Sequence, residues 1–452
     1  MVYVVKQGDT LFNLARRYST SAESIMQLNN LQSNSLYLGQ RLQIPLYEEA
    51  IVTVDSAGIR REPSINAGTI AYMVRGAHLP ITGSARGWYR VRIHNGAQGW
   101  VVRQAVEKRV YGDQKPIQEI VGFYTVQEGA SLPSSFRSFV SHTGLISDLP
   151  LFFYRISANN PTQIEKFSQF SDLDVHNLVA IAHRNNVKIM PVIHNLLYRE
   201  GGTTLAKNVV RVMTGDSGSR AAFIGNVLRL IEQFDFDGVN IDIEDVYKED
   251  SAALSRFYTE LGAAMRSRGY FLSASVPARI RDEPFNPFSD PFDYTAIGRA
   301  VNQFIVMLYN EHGWPGSGPG PVVSIGWMEK VLRYTVTKVP RQKVVAAVSV
   351  FGFDFNLTTG RNTYVTYQMA MDLAKRFNKT VIFDQATKTP MFSYTDTDGS
   401  KHEVWFENAE SIRAKIDFAW SMGIRGVALW RLGMEDPAIW TMISNDVVVK
   451  RY

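Results

Sequence analysis

From residue 116 onward the sequence repeats one arrangement: a short apolar run, then a longer stretch with helical periodicity. The apolar runs fall at 120–124, 151–156, 187–193, 239–244, 271–276, 303–309, 344–350 and 426–430. Runs this short and this apolar read as strands covered on both faces. Helical stretches lie between them near 134–142, 173–185, 220–234, 251–268, 325–334 and 409–422, with Asp172 a candidate cap for the second. Eight strands separated by helices close most economically into an α/β, eightfold parallel (β/α)8 barrel, the TIM barrel. An open doubly wound sheet is the alternative, but no Gly-rich phosphate turn follows the first strand.

Barrels of this kind place their chemistry at the C-terminal ends of the strands. The fourth run, Phe234-Asp-Phe-Asp237-Gly-Val-Asn240-Ile-Asp242-Ile-Glu244-Asp-Val246, carries the strongest chemical signal. Its period of two puts Asn240, Asp242 and Glu244 on one face and Val239, Ile241 and Ile243 on the other. Two carboxylates two residues apart on one face repel, and one proton held between them raises an apparent pKa. A carboxylic acid still protonated near neutral pH is what a general acid requires. A solvated loop of ordinary acidic residues is the bland alternative, and the flanking helical and apolar stretches argue against it. Glu244, Tyr309 and Trp430 end the fourth, sixth and eighth strands and are expected to converge on one mouth. Met307 is either a site residue or barrel core, and Trp314 either stacks on substrate or anchors its loop. His194-Asn195 ends the third strand and Arg279 follows the fifth, as further candidates for substrate contact. Asp237 sits in the opposite register from Glu244 and reads first as a turn or cap residue. Segment 351–406, with one helix and one expected hairpin, is long for a connection and is expected to wall one side of the cleft.

A chain of 452 residues is expected to hold two to four domains. Residues 1–46 read as strand, helix, helix, strand. A Gly8-Asp9-Thr10-Leu11 turn caps the first helix, Asn29-Asn30 stops the second, and a Leu-Gln-Ile-Pro ending follows. This unit resembles the LysM module over its full length. The resemblance implies a small α+β fold binding N-acetylglucosamine-containing glycans through its two strand–helix loops. Gly8, Asp9, Thr10, Leu11, Asn34 and Leu36 are then the candidate contacts, with a purely structural turn as the alternative. Residues 47–109 switch to short strands separated by Gly and Asn turns, His94-Asn95-Gly96 among them. The Gly-Trp88-Tyr-x-Val and Gly-Trp100-Val pieces resemble the bacterial Src-homology-3-like barrel of cell-wall enzymes, a binder of peptidoglycan stem peptides or a spacer. Residues 108–115 read as the linker, and 116–452 as the catalytic barrel.

The net charge of +5 is uneven: residues 1–110 hold 13 Lys and Arg against 7 Asp and Glu, the remainder 35 against 36. The basic first quarter points to an anionic surface. No Lys/Arg cluster with interleaved aromatics is present, so nucleic acid is not expected. With no cysteine the chain has no disulfide, thiolate site or Cys nucleophile. The eight His are scattered, so no metal and no cofactor is expected, and the protein is expected to be a monomer. There is no run of eighteen apolar residues for a membrane span, and no basic region with an apolar run at the N-terminus to read as a secretory signal.

Four segments carry a further resemblance: Asp237-Gly-Val-Asn-Ile-Asp-Ile-Glu244, Val306-Met-Leu-Tyr-Asn-Glu-His-Gly-Trp314, residues 402–415, and Gly423-Ile-Arg-Gly-Val-Ala-Leu-Trp-Arg-Leu-Gly433. Residues 116–452 resemble glycoside hydrolase family 18, the chitinase-like enzymes, and within it the spore-cortex-lytic N-acetylglucosaminidases. The family pattern Asp-x-x-Asp-x-Asp-x-Glu matches at Asp237, Asp242 and Glu244 and departs at Asn240. Asn310 likewise stands where Asp is frequent. The resemblance implies retaining, substrate-assisted hydrolysis. Glu244 protonates the glycosidic oxygen, the substrate's own 2-acetamido oxygen attacks the anomeric carbon, and Glu244 then activates water. Asp242 would orient the acetamide and Tyr309 would donate to its oxygen. Trp430 would floor the sugar, and Gly122 and Tyr124 would line the same pocket. The substrate would be peptidoglycan or spore cortex, in the cell wall or in a spore. A chitinase, or an inactive wall-binding or coat protein, are the alternatives.

Overall fold

The computed structural model describes residues 1–127, 132–199, 202–309, 311–314 and 316–452, with the side chains of 197–199 and 202–204 left aside. The N-terminal unit pairs Val2–Val4 with Arg41–Gln43 antiparallel around the helices Leu11–Arg17 and Ala22–Leu28. Thr10 and Ser21 cap those helices by accepting the backbone N–H of Asn13 and Ser24. Leu11, Leu14, Ile25 and Leu42 fill its core. The next unit is a seven-stranded antiparallel sheet running from Tyr47–Val52 to Val106–Tyr111. Those two strands pair along their whole length, so residues 108–111, expected as linker, complete this sheet instead.

The third unit is the barrel. Its strands are β1 (Ile117–Gly122), β2 (Asp148–Ile156), β3 (Lys188–His194), β4 (Gly238–Asp242), β5 (Phe271–Pro277), β6 (Gln303–Met307), β7 (Val344–Ser349) and β8 (Gly426–Trp430). Each pairs in parallel with the next. β8 pairs with β1 and β1 with β2, which closes the ring. The expected eight strands are therefore present and closed. Gly238 opens β4 because a Cβ there would lie 1.9 Å from the Phe271 carbonyl oxygen. Gly238→Ala must push β4 off β5, and should cost at least about 3 kcal/mol of stability or block folding, as read by urea unfolding.

Inside the ring Val121, Phe123, Phe152, Val192, Ile305, Val345, Ala347 and Ala428 form one apolar layer. This corrects the reading of β1. Gly122 and Tyr124 face outward, toward the helices, where a Gly122 Cβ would meet Leu432 at 2.8 Å and Tyr124 packs on Phe153 and Phe170. Phe123 is the residue that points inward. Below the apolar layer runs a polar spine. Ser275 Oγ donates to Asn240 Oδ1 at 3.2 Å, and Asn240 Nδ2 donates to Ser273 Oγ at 2.9 Å. Ser273 Oγ donates to Gln303 Oε1 at 2.7 Å. Gln303 Nε2 donates to Glu119 Oε2 at 2.8 Å and Asp148 Oδ2 at 3.0 Å. The Arg425 guanidinium closes this end with two bonds to Glu119, at 2.6 and 2.8 Å. Pairing and full hydrogen bonding are what make so many buried polar groups tolerable.

The seven-stranded unit docks on this closed end. Asn186 Nδ2 donates to the His78 carbonyl at 2.7 Å, and Tyr47 and Ile117 share one apolar cluster with Val448. Asp237, at the entrance to β4, meets His94 Nδ1 at 2.6 Å and lies 3.3 Å from His183 Nε2. Burial alone would raise Asp237, but the facing His94 and His183 outweigh it and hold its carboxyl well below the usual range. These three groups are close enough to suggest a metal, which scattered His in a sequence cannot reveal. Their imidazole rings, however, stack at 3.7 Å and only 14° from parallel, so in-plane lone pairs do not converge on one ion. They form a clasp between units.

Segment 351–406 is more than the expected hairpin. It is a five-stranded antiparallel sheet built on Gly352–Asn356, Asn362–Val365, Ile382–Asp384, Thr389–Thr395 and Lys401–Trp405, with the helix Tyr367–Arg376 against it. Phe353 seats under Gly313, where a Cβ would lie 2.1 Å from its ring, and Asn362 Nδ2 donates to the Gly313 carbonyl at 3.1 Å. The insertion thus braces the loop carrying Trp314.

Candidate active site

The inward alternation along β4 brings Asn240, Asp242 and Glu244 up one inner face in order. Asn240 is fully buried and held by its two serines. Asp242 is 3% exposed, and its Oδ1 has no hydrogen-bond partner among the described residues. Glu244, past the end of the ladder, is half-buried and opens into a cavity of about 680 Å³. Burial raises Asp242. Burial first, and then the charges of Asp242 and Asp245, raise Glu244 further. The pair therefore keeps one proton at neutral pH, and Glu244, the member facing the cavity and the one raised further, holds it while Asp242 carries the charge. Tyr309 is raised well above its ordinary value by burial and by these two carboxyls, so its hydroxyl remains a donor.

Tyr309 and Met307 line the same cavity from β6. Trp430 ends β8 with its ring 6.1 Å from Tyr309, over Phe123 at 5.3 Å and Phe152 at 5.1 Å. Trp314 lines the far side and is 53% exposed. Sequence reasoning missed Phe285, Asn286 and Phe288 there, because residues 278–293 show no periodicity and only a spatial view brings that loop to the cleft. It also missed Phe123 and Phe152 beneath Trp430, hidden in runs too uniformly apolar to show a facing.

Other candidates fall elsewhere. Asp237 lies at the opposite end of β4 from Glu244 and belongs to the clasp, so it does not line the substrate cleft. Arg279 is 5% exposed and donates to the Arg281 and Phe292 carbonyls, at 3.1 and 3.2 Å, which ties down the 280–293 loop. Tyr124 and Gly122 face away from the cavity, as described. His194 is fully buried inside the barrel, in register with Asp242, and stacks on Phe152 at 4.2 Å. Burial, and next the charge of Arg155, push its imidazole down to about 3. Its Nδ1 accepts the Leu196 N–H at 3.1 Å, so its single proton is on Nε2. Asn310 lies outside the described residues. A roomier hollow of about 920 Å³ beside Tyr124 and Phe170 holds no acid pair among the described residues, so chemistry rather than volume locates the site.

In the N-terminal unit, Asp9 is occupied structurally, accepting Tyr3 Oη at 2.6 Å and the Lys6 N–H at 2.8 Å. Thr10 is a cap and Leu11 is core. Gly8 and Asn34 are exposed, and Leu36 packs partly on the core. The large exposed apolar groups are Phe12, Tyr37 and Leu38, 69 to 77% exposed, within the two loops, residues 8–12 and 33–39, that the LysM resemblance assigns to glycan.

A closed parallel barrel with a proton-holding carboxyl pair and an aromatic floor at its C-terminal mouth is the framework of a glycoside hydrolase. The chain belongs to the glycosyl hydrolases family 18, whose family model matches residues 119–435. A LysM domain matches residues 3–45 and a bacterial SH3 domain residues 55–107. The chain is 24% identical over 456 residues to a cortical fragment-lytic enzyme of Bacillus subtilis, covering 100% of this chain and 99% of that one. With the cortical fragment-lytic enzyme of Bacillus anthracis it is 29% identical over 275 residues, 60% of this chain and 63% of the other. The crystal structure of the Bacillus cereus spore cortex-lytic enzyme SleL superposes with a TM-score of 0.67 at 22% identity, over 100% and 99% of the two chains. No helix among the described residues is long and apolar enough to cross a membrane.

Proposed function

We propose that this glycoside hydrolase cleaves N-acetylglucosamine linkages in peptidoglycan of the spore-cortex type, with retention of anomeric configuration and with the substrate's acetamide as nucleophile. The observation that carries this reading is Glu244 opening into a cavity that Tyr309 also lines, with the Trp430 ring 6.1 Å from Tyr309 and Asp242 buried one step below. Glu244 gives its proton to the glycosidic oxygen as the bond to the anomeric carbon breaks. The acetamido oxygen closes on that carbon from the opposite face, forming an oxazolinium ion. Asp242 takes up the developing positive charge and orients the acetamide N–H, while Tyr309 donates to the acetamide oxygen. Trp430 stacks beneath the ring. Glu244, now ionised, removes a proton from water as it opens the oxazolinium, which restores the acid.

The names of the full-length relatives support cortex glycan as substrate, and the LysM and bacterial SH3 units support wall association. The chain would then work in a spore or at a cell wall, as a monomer and without cofactor. Product release from cortex fragments and from chitin oligomers, compared side by side with proton NMR of the fresh anomer, tests this. Faster release from cortex with a β product is expected. Preference for chitin would overturn the substrate, and an α product would overturn the mechanism.

A further inference from the structure

β4 stops making ladder bonds at Asp242, two residues short of the proton donor. The N–H and C=O of Glu244 must therefore find partners elsewhere, since buried peptide groups seldom go without. Asn195 supplies both. Its Oδ1 accepts the Glu244 N–H at 2.9 Å, and its Nδ2 donates to the Glu244 carbonyl at 2.6 Å. A carboxamide has the donor and acceptor of a peptide unit, so this contact is one extra rung of ladder built from a side chain just where β3 ends. Asn195 is fully buried. No other hydrogen bond holds the Glu244 main chain among the described residues. The following residue, Asp245, has φ +51°, so the chain turns away immediately after the acid.

We infer that Asn195 is the positioning residue of the proton donor: its carboxamide sets the depth at which the Glu244 carboxyl enters the cleft. The inference rests on the reading of Glu244 as the acid. A displacement near 1 Å at a reacting group costs about 100-fold in rate, so loss of the clamp should be felt in proton transfer above all. Asn195 Nδ2 also reaches the Ala206 carbonyl at 3.5 Å, a weaker tie than those to Glu244, and the Asn195 main-chain carbonyl accepts the Ala206 N–H at 2.9 Å at the base of a hairpin. That main-chain bond is indifferent to the side chain and survives substitution.

The test exploits leaving-group chemistry. A sugar leaving group needs protonation, whereas a nitrophenolate leaves nearly unaided, and kcat/KM reports only the steps through bond cleavage. Asn195→Ala, Asn195→Asp and Glu244→Gln are assayed with an N-acetylglucosaminyl oligosaccharide and with the same glycan carrying a nitrophenyl group at the cleavage point. Asn195→Ala is expected to lose about 10- to 100-fold on the oligosaccharide and less than about threefold on the nitrophenyl glycoside. Asn195→Asp keeps the shape and the acceptor, guarding against a failure to fold. It should show the same split, and its added carboxylate should move the basic limb of the pH profile upward. Equal losses on both substrates, or no loss, would overturn the inference. If Glu244→Gln shows the split and the Asn195 variants do not, the inference alone falls. If Glu244→Gln lacks the split, the assignment of the acid falls and the inference goes with it.

Discussion

Glu244→Gln is expected to lower kcat on cortex fragments by about 10²–10⁴-fold while leaving KM within a few-fold, because the proposed mechanism uses one side chain first as acid and then as base. The carboxamide is the same size as the carboxyl, so the cavity and the fold should be unaffected, and an unchanged thermal midpoint should accompany the loss. The wild-type rate should carry a basic limb near pH 8. Burial first, and then Asp242 and Asp245, push Glu244 up to about 8, and above that value the acid has lost its proton. Muropeptide release followed by chromatography measures both. Release by the variant at the wild-type rate would sink the mechanism.

Asp242→Asn should be nearly as damaging, about 10²–10³-fold in kcat, since a neutral amide cannot balance the charge that develops as the acetamide attacks. It should also displace the pH profile in a stated direction. The Asp242 charge is one of the causes that raise Glu244. Removing it lets Glu244 ionise at lower pH, so the basic limb of the residual kcat/KM profile should move toward acid. A residual profile superposable on that of wild type would show that the two carboxyls act independently. Movement to higher pH would contradict the electrostatic account outright.

Much of this molecule could be read before any coordinates. Eight buried apolar runs with helices between them leave few closed topologies, and the alternation along β4 gave the correct facing for Asn240, Asp242 and Glu244. That success depended on polar residues marking one face. β1 carries Ile-Val-Gly-Phe-Tyr, apolar throughout, and such a run contains no information about which side looks inward. Gly122 and Tyr124, which the resemblance assigns to the pocket, face outward instead, and Phe123 faces in. Asp237 was legible as a structural residue from its odd spacing to Glu244, but its partner His94 is 143 residues away in another unit. The insertion hid three of its five strands because short antiparallel edges carry weak patterns. Asn195 was invisible as a clamp for a simpler reason: a side chain that bonds a distant backbone leaves no mark in local sequence.

The clasp at Asp237 and the Asn186–His78 contact fasten the amino-terminal units to the closed end of the barrel, whereas Glu244 opens at the other. Strands of five to nine residues separate the two ends, roughly 15–30 Å at about 3.3 Å per residue. On the proposed function, a glycan held by the amino-terminal units would be held away from the mouth that cuts. Holding and cutting would then fall on different strands, or on well-separated stretches of one. Such a grip would act as a tether that raises the local concentration of substrate around the mouth, rather than feeding one polymer forward through the enzyme.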